Sequence, residues 1–157
     1  VSLDEECQHI IARRQPAASD LRMVMTVIKI ITDLERIGDE AQKVARMGKL
    51  ILTGDRIHAP RFREIQKMAD IAMAMVRRAL DAFARLDVAG ALDVARQDRT
   101  LDDEFDANFR QLVTFMMEDP RIISMSIDTI FMCKAIERIG DHAKNISYHL
   151  LILERNL

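Results

Sequence analysis

The sequence predicts an all-α protein. Glycine (5 residues), proline (3) and aromatic residues (4 %) are scarce in the 157-residue chain, so it offers little turn or strand chemistry. Ten methionines, with many alanines, leucines and isoleucines, suit the packing of helices. Apolar residues also recur every three or four positions over long segments, which is the period of an amphipathic helix.

The N-terminal third predicts two helices. The first covers about residues 2–14 and ends before Pro16, which cannot continue it. The second runs from about Asp20 past Met47, and either Ser19 or Asp20 is a suitable N-cap.

A connector punctuated by Gly54 and Pro60 follows, although the apolar run 50–52 is compatible with further helix. The third helix is predicted over about 61–86.

Asp87 is a suitable N-cap for a fourth helix, which ends at the Asp119–Pro120 break. The fifth helix covers about 121–155. Short connectors between long helices predict antiparallel neighbours in a bundle.

An internal repeat divides the chain. The segment 33–39, Asp-Leu-Glu-Arg-Ile-Gly-Asp, recurs at 135–141 as Ala-Ile-Glu-Arg-Ile-Gly-Asp, a step of 102 positions. A repeat of that length holds three helices. We therefore predict a partial first repeat over 1–58 and a second over 59–157, with the N-terminal helix of the first three-helix bundle missing.

Three pairs of acidic residues stand four positions apart, so each pair lies on one helix face. Two pairs belong to the repeated motif, and the third lies on an otherwise apolar face that points to the bundle interior. An unpaired carboxylate there is costly, and a metal shared with the following helix would compensate it. Oxygen ligands suit magnesium, manganese or iron. The candidate ligands are Glu35, Asp39, Asp98, Asp102, Glu137 and Asp141.

Gly38 and Gly140 each stand inside one acidic pair. A glycine within a helix costs about 1 kcal/mol relative to alanine. Its presence predicts close backbone approach, either by a neighbouring helix or by a bound ion cluster.

A simpler interpretation of the acids is a surface network of ion pairs. In that case Arg36 reaches Asp33 or Glu40, and no metal is bound. The four histidines are scattered, and only His142, beside Asp141, is kept as a reserve ligand.

The remaining composition excludes several classes. A net charge of −2 without a basic block argues against nucleic acid as the main partner. No run of 18 apolar residues is present, so no membrane insertion is predicted. Two isolated cysteines, Cys7 and Cys133, and the lack of a signal-peptide pattern predict a cytoplasmic protein.

Taken together, the stretches 11–22, 33–39, 81–85, 115–119 and 136–141 resemble the PhoU family of bacterial phosphate-signalling proteins. The resemblance extends over nearly the whole chain, and the two Glu-Arg-Ile-Gly-Asp motifs are the hallmark of that family.

The resemblance implies two similar three-helix bundles, each with an acidic surface site for a multinuclear metal cluster. Iron, zinc or manganese are the candidate metals, with magnesium as a fallback. It also implies a negative regulator that links the ATPase subunit of a phosphate ABC transporter to a sensor histidine kinase, and that often forms a homodimer. The first site is expected to be incomplete here, because the counterpart of the Asp98–Asp102 pair would lie upstream of Val1.

Two other functions remain open. A di-iron carboxylate enzyme needs Glu-x-x-His on two helices, and only Glu6–His9 matches that pattern. No phosphate-binding glycine loop or activated nucleophile is recognisable, so we predict that the chain is not an enzyme. A structural scaffold, in which arginines neutralise the acids, predicts the same helices.

Overall fold

A computed structural model describes residues 2–14, 18–53 and 62–155. These residues form five α-helices and one short 3-10 helix, and no strand occurs among them, which confirms the all-α prediction. The helices are α1 (Leu3–Arg14), α2 (Ala18–Thr53), α3 (Phe62–Arg85), α4 (Val88–Glu118) and α5 (Ile123–Arg155), with the 3-10 helix at Pro120–Ile122.

The start of α2 differs from the prediction. The helix begins at Ala18, so Ser19 and Asp20 lie inside its first turn and neither is the N-cap. A carboxylate in the first turn is favourable because it faces the positive end of the helix dipole. At the other end the run 50–52 is helical. The predicted breaks at Pro16, Gly54 and Pro60, and the repeat boundary at 58/59, lie outside the described residues.

The start of α4 is as predicted. The Asp87 carboxylate accepts a hydrogen bond of 3.0 Å from the Gly90 N–H, and this bond lowers the pKa of Asp87. At the other end of the helix, the Asp119 N–H donates to the Phe115 carbonyl, and Pro120 begins the 3-10 helix. The predicted break at Asp119–Pro120 is therefore confirmed.

Helices α3, α4 and α5 form an antiparallel bundle with a main apolar core and a smaller apolar cluster that includes Leu150. The largest fully buried side chains include Met68 and Met75 of α3, Leu101 of α4, and Ile146 and Leu150 of α5. Each such side chain contributes roughly 1.5–3 kcal/mol on burial. This apolar core fixes how the polar faces of α4 and α5 meet.

Helix α2 lies along the other side of α5. Asp33 of α2 contacts Asn145 of α5, and Glu40 contacts Arg138, so the two helices run antiparallel. Ile30 of α2 is buried against the same core. Helix α1 packs against α2 and, within the described residues, touches no other helix. No described helix is long and apolar enough to cross a membrane.

The two motif glycines have different surroundings. A Cβ added to Gly140 would lie 2.3 Å from Leu101 Cδ2 and 3.4 Å from Met75 Sδ, whereas one added to Gly38 would meet nothing within 4 Å among the described residues. Close helix approach is therefore confirmed at Gly140. At Gly38 no neighbouring helix of the described residues approaches, so the helix alternative is wrong there, and the bound ion cluster stays a prediction.

This difference predicts opposite effects of one substitution. Gly38→Ala should raise the free energy of unfolding by up to about 1 kcal/mol, because helix propensity improves without a clash. Gly140→Ala should lower it by about 1–3 kcal/mol, because the added Cβ would overlap Leu101, which is fully buried and could shift only by displacing other core side chains. Urea unfolding followed by circular dichroism measures both, and equal effects would contradict the close packing at Gly140.

Candidate functional site

A cluster of carboxylates lies where α4 crosses α5. Asp98 of α4 is only 5 % exposed, and its Oδ2 accepts a short hydrogen bond from Lys144 Nζ of α5. The same ammonium group lies 3.4 Å from Oδ1 of Asp141. Desolvation alone would lower the pKa of Lys144, but the hydrogen bond and the charge of Asp98 outweigh it and raise that pKa. Lys144 therefore connects the acids of two helices.

Asp102 lies one turn after Asp98 and is more exposed. Its pKa is raised, first by partial burial and then by the negative charges of Asp98, Glu137 and Asp141, while Lys144 opposes the shift. All four predicted acids of the second repeat thus act on one another. The prediction of an interior position is confirmed for Asp98 but is wrong for Asp102, which lies at the rim.

Glu137 provides a second, partly buried acid of the cluster. Lys134 Nζ lies 2.7 Å from its carboxylate oxygens, and the same ammonium group lies 5.1 Å from the centroid of the Phe105 ring. The Oε2 atom of Glu137 is buried and accepts no hydrogen bond of normal geometry from the described residues. A carboxylate oxygen buried in this way is costly unless a cation compensates it, and the Lys134 ammonium group at 2.7 Å is that cation for Glu137.

Four carboxylates and two ammonium groups meet in this cluster, so two negative charges lack a basic partner within it. Oxygen donors of this kind suit hard or borderline cations. In the present side-chain arrangement, however, no three His, Cys, Asp or Glu side chains of the described residues are grouped closely enough to hold a metal ion. The ammonium groups of Lys134 and Lys144 lie against the carboxylate oxygens that a metal ion would bind.

The predicted ligands of the first repeat lie apart from this cluster. Glu35 and Asp39 are exposed on α2, and the carboxylate of Asp39 has Arg36 at 3.8 Å. Arg36 was expected to reach Asp33 or Glu40 if the acids formed a surface network, but the ion pair that the structure gives it is with Asp39. Neither acid is brought close to a second acidic pair by the described residues.

Two buried acids that were not among the predicted ligands lie at the contact between α2 and α5. Glu40 is 6 % exposed, with Lys43 Nζ at 2.7 Å and Arg138 at 3.5 Å. Asp33 is 8 % exposed and has three partners on α5. Asp33 is the first residue of the segment 33–39 and Glu40 follows its last, but neither acid has an acidic counterpart in the second repeat, where Ala135 and His142 stand.

Asp33 binds two histidines. Its Oδ1 lies 2.8 Å from His142 Nδ1, its Oδ2 lies 3.1 Å from His149 Nε2, and Asn145 Nδ2 lies 3.4 Å from Oδ1. His142 and His149 stand seven positions apart and so share one face of α5. This seven-residue spacing was the sequence signal that could have predicted a pair of histidines on one side of α5. His142, the reserve ligand, therefore contacts Asp33 on α2.

A family model for the PhoU domain matches residues 1–47 and 65–150. The PhoU homolog of Pseudomonas putida, a phosphate-specific transport system accessory protein, is 50 % identical over 155 residues, which is 98 % of this chain and 60 % of that relative. The Escherichia coli K12 phosphate-specific transport system accessory protein PhoU is 42 % identical over 146 residues, which is 93 % of this chain and 60 % of that relative.

Solved structures agree with this similarity. The crystal structure of PhoU from Pseudomonas aeruginosa matches with a TM-score of 0.91 at 48 % identity, covering 98 % of this chain and 73 % of that one. The crystal structure of the phosphate transport system regulatory protein PhoU from Streptococcus pneumoniae matches with a TM-score of 0.86 at 24 % identity. The match covers 98 % of this chain and 71 % of that one, and it supports the helical-bundle fold alone.

The fold thus places the molecule in the class of all-α helical-bundle proteins. The chain belongs to the PhoU family. It spans about three fifths of the length of the curated relatives it matches most fully.

The Asp33 network should contribute to stability. Asp33→Ala leaves two histidines and an amide without their acceptor, so the free energy of unfolding should fall by about 1–3 kcal/mol. Asp103→Ala, at an exposed position of α4, is the control and should change it by less than about 0.5 kcal/mol. Similar losses in both variants would show that the network does not stabilise the contact between α2 and α5.

Substitution of Asp102 should raise the free energy of unfolding, in contrast to substitution of Asp33. A carboxyl whose pKa is raised on folding destabilises the protein when it is ionised. Asp102→Asn should therefore raise stability at pH 7 by roughly 0.2–0.5 kcal/mol, the scale of one like-charge pair. The gain should vanish as the pH falls below the ordinary value of 3.8, because the native carboxyl is then protonated in both states. Unfolding at several pH values, without added metal, measures the trend, and a gain that grows in acid would contradict the repulsion.

Proposed function

We propose that this chain is a metal-binding negative regulator of phosphate uptake and of the phosphate-starvation two-component response. In this proposal it acts in the cytoplasm, as a homodimer, and connects the ATPase subunit of a phosphate ABC transporter with a sensor histidine kinase. The names of its relatives support a role in phosphate transport. The observation that carries the metal proposal is the cluster of four carboxylates with two ammonium groups, in which burial and the neighbouring negative charges raise the pKa of Asp102.

The second repeat supplies the better-supported site. The four carboxylates of the cluster would hold the metal, because their oxygens are the donor atoms that the cluster supplies. They belong to Asp98, Asp102, Glu137 and Asp141. A divalent cation would offset the desolvation and the negative charges that together raise the pKa of Asp102. Lys144 would then have to leave Asp98, because both compete for the same buried oxygen.

Glu35 and Asp39 would contribute to the second metal site of the proposal. Both are exposed on α2, so they are accessible to ligands from another helix or from a partner. Iron, zinc or manganese, in a multinuclear cluster, are the proposed metals, and magnesium is the fallback. Bound metal would supply positive charge that fixes α4 against α5, and the exposed acids around it would form part of a docking face.

A structural scaffold is the second candidate function. It is favoured by the contacts that Lys144 makes with Asp98 and that Lys134 makes with Glu137, because these pairs already neutralise half of the cluster. In this case the acids maintain the spacing of α4 and α5 without metal.

A di-iron enzyme has less support. Glu6 and His9 are exposed on α1, and α1 contacts α2 alone among the described helices. Their side chains therefore cannot join the carboxylates of α4 and α5. We accordingly propose a role without turnover.

Metal analysis distinguishes the first two candidates. The chain, incubated separately with iron, zinc and manganese and then desalted, should retain metal. The Glu137→Ala, Asp141→Ala double variant should lose most of the metal held by the second repeat, because two of its four ligands are removed.

The matched control is the Asp103→Ala, Asp106→Ala double variant, which removes two exposed acids from α4 and should retain metal as the unmodified chain does. Equal metal content in both double variants, or none in the unmodified chain, would favour the scaffold. Pull-down with the transporter ATPase and the kinase then tests whether loss of metal also weakens docking.

A further inference from the structure

A cavity of about 260 Å³ lies at the end of the bundle, away from the acid cluster. The first turn of α3 forms one wall with Glu64 and Ile65, and the last three turns of α4 form another. The 3-10 helix and the first part of α5 close the far side. This volume is near the lower end of the range of about 300–1,000 Å³ that is usual for ligand pockets.

The walls of the cavity are mostly apolar, and their charges have one sign. Leu112, Phe115 and Met125 are among the apolar side chains. Carboxylates line the cavity on Glu64, Glu118 and Asp119, whereas no described Lys, Arg or His side chain does so. An apolar body with a positive charge is therefore the complementary ligand.

Two of these carboxylates differ in how far they are neutralised. Both oxygens of Asp119 accept hydrogen bonds of 2.9 Å from the Arg121 guanidinium, which compensates that charge. The Oε2 atom of Glu64, in contrast, is buried and has no hydrogen-bond partner among the described residues. Glu64 also lies in the first turn of α3, where the helix dipole favours the ionised form.

The far wall contains a second unsatisfied group. Ser126 is fully buried, and no described residue provides its Oγ atom with a partner. Thr129 and Ser147 on the same helix donate to the carbonyl four residues earlier, at 2.8 Å and 3.3 Å. For Ser126 the equivalent residue is Ile122, which ends the 3-10 helix, so the backbone there does not have α-helical geometry.

Cys133 lines the inner end of the cavity. Burial raises the pKa of its thiol to about 11, so the sulfur remains neutral at pH 7 and adds no competing charge. Glu137 follows one turn later on α5, at a helix rise of about 6 Å. The cavity is thus separate from the acid cluster but shares a helix with it.

We infer that this cavity binds a small organic cation, with its apolar body among the side chains of α3, α4 and α5 and its ammonium group on Glu64. The ammonium group donates a hydrogen bond to Oε2 of Glu64, which satisfies the buried oxygen. No covalent step is involved. This inference does not depend on metal binding, because none of the lining residues is a proposed metal ligand.

Three probes of similar size test the charge preference. Benzylamine, benzyl alcohol and benzoate are each titrated into the full chain at pH 7, and binding is measured by calorimetry. Benzylamine should bind about tenfold more tightly than benzyl alcohol, because a hydrogen bond to an ionised group is the stronger kind. Benzoate should bind most weakly. Equal binding of the three probes, or no binding of benzylamine at millimolar concentration, would overturn the inference.

Matched variants test the position. Glu64→Gln keeps the shape but removes the charge, so its affinity for benzylamine should fall about tenfold, to that of benzyl alcohol. Asp106→Asn, which removes one exposed charge from α4, should bind benzylamine as the unmodified chain does. Leu112→Trp fills the cavity and should abolish binding of both benzylamine and benzyl alcohol, with unchanged helicity by circular dichroism as the control. Equal binding by Glu64→Gln and Asp106→Asn would place the cation elsewhere.

Discussion

The packing of α5 against three other helices is the constraint on which the rest of the structure depends. Its buried residues occur on more than one face, so α5 is enclosed by α2, α3 and α4. Such close approach requires small side chains at the contacts, and Gly140, Ala143 and Ser147 supply them. A larger residue at Gly140 would overlap the Leu101 side chain of α4. The acids of α4 and α5 are brought together as a consequence of this packing.

Electrostatics then follows from where the helices meet. Asp98 is buried because α4 turns that face toward α5, and a buried carboxylate needs a cation. Lys144 provides one for Asp98. On the other side of α5, Glu40 pairs with Lys43 of its own helix and with Arg138 of α5, and Asp33 contacts two histidine rings of α5. Helix α5 thus has charged contacts on two sides. On one side lysines pair with the acids of α4 and α5, and on the other side histidine and arginine side chains of α5 contact the acids of α2. These contacts fix the spacing of the helices without adding apolar area.

The repeat gives equivalent sequences different environments. Glu137 and Asp141 lie beside the acids of α4, whereas Glu35 and Asp39 are exposed on α2. Helical period placed each pair on one face, and that much followed from the spacing of the residues. Which pair would meet another acid depended on which helix packs beside it. For the same reason the predictions for Gly38 and Gly140 had different outcomes.

The amino-acid sequence by itself determined the helices, most of their ends, and the family. Period, caps and helix breakers are local properties, and a long repeated motif identifies relatives without coordinates. Only the tertiary structure decided that Asp102 lies at the rim, that Asp33 and Glu40 are buried, and that Glu64 borders a cavity. Burial and charge pairing arise from contacts between helices distant in sequence. An acid within an amphipathic helix has the same local pattern whether its neighbour is water or a lysine of another helix.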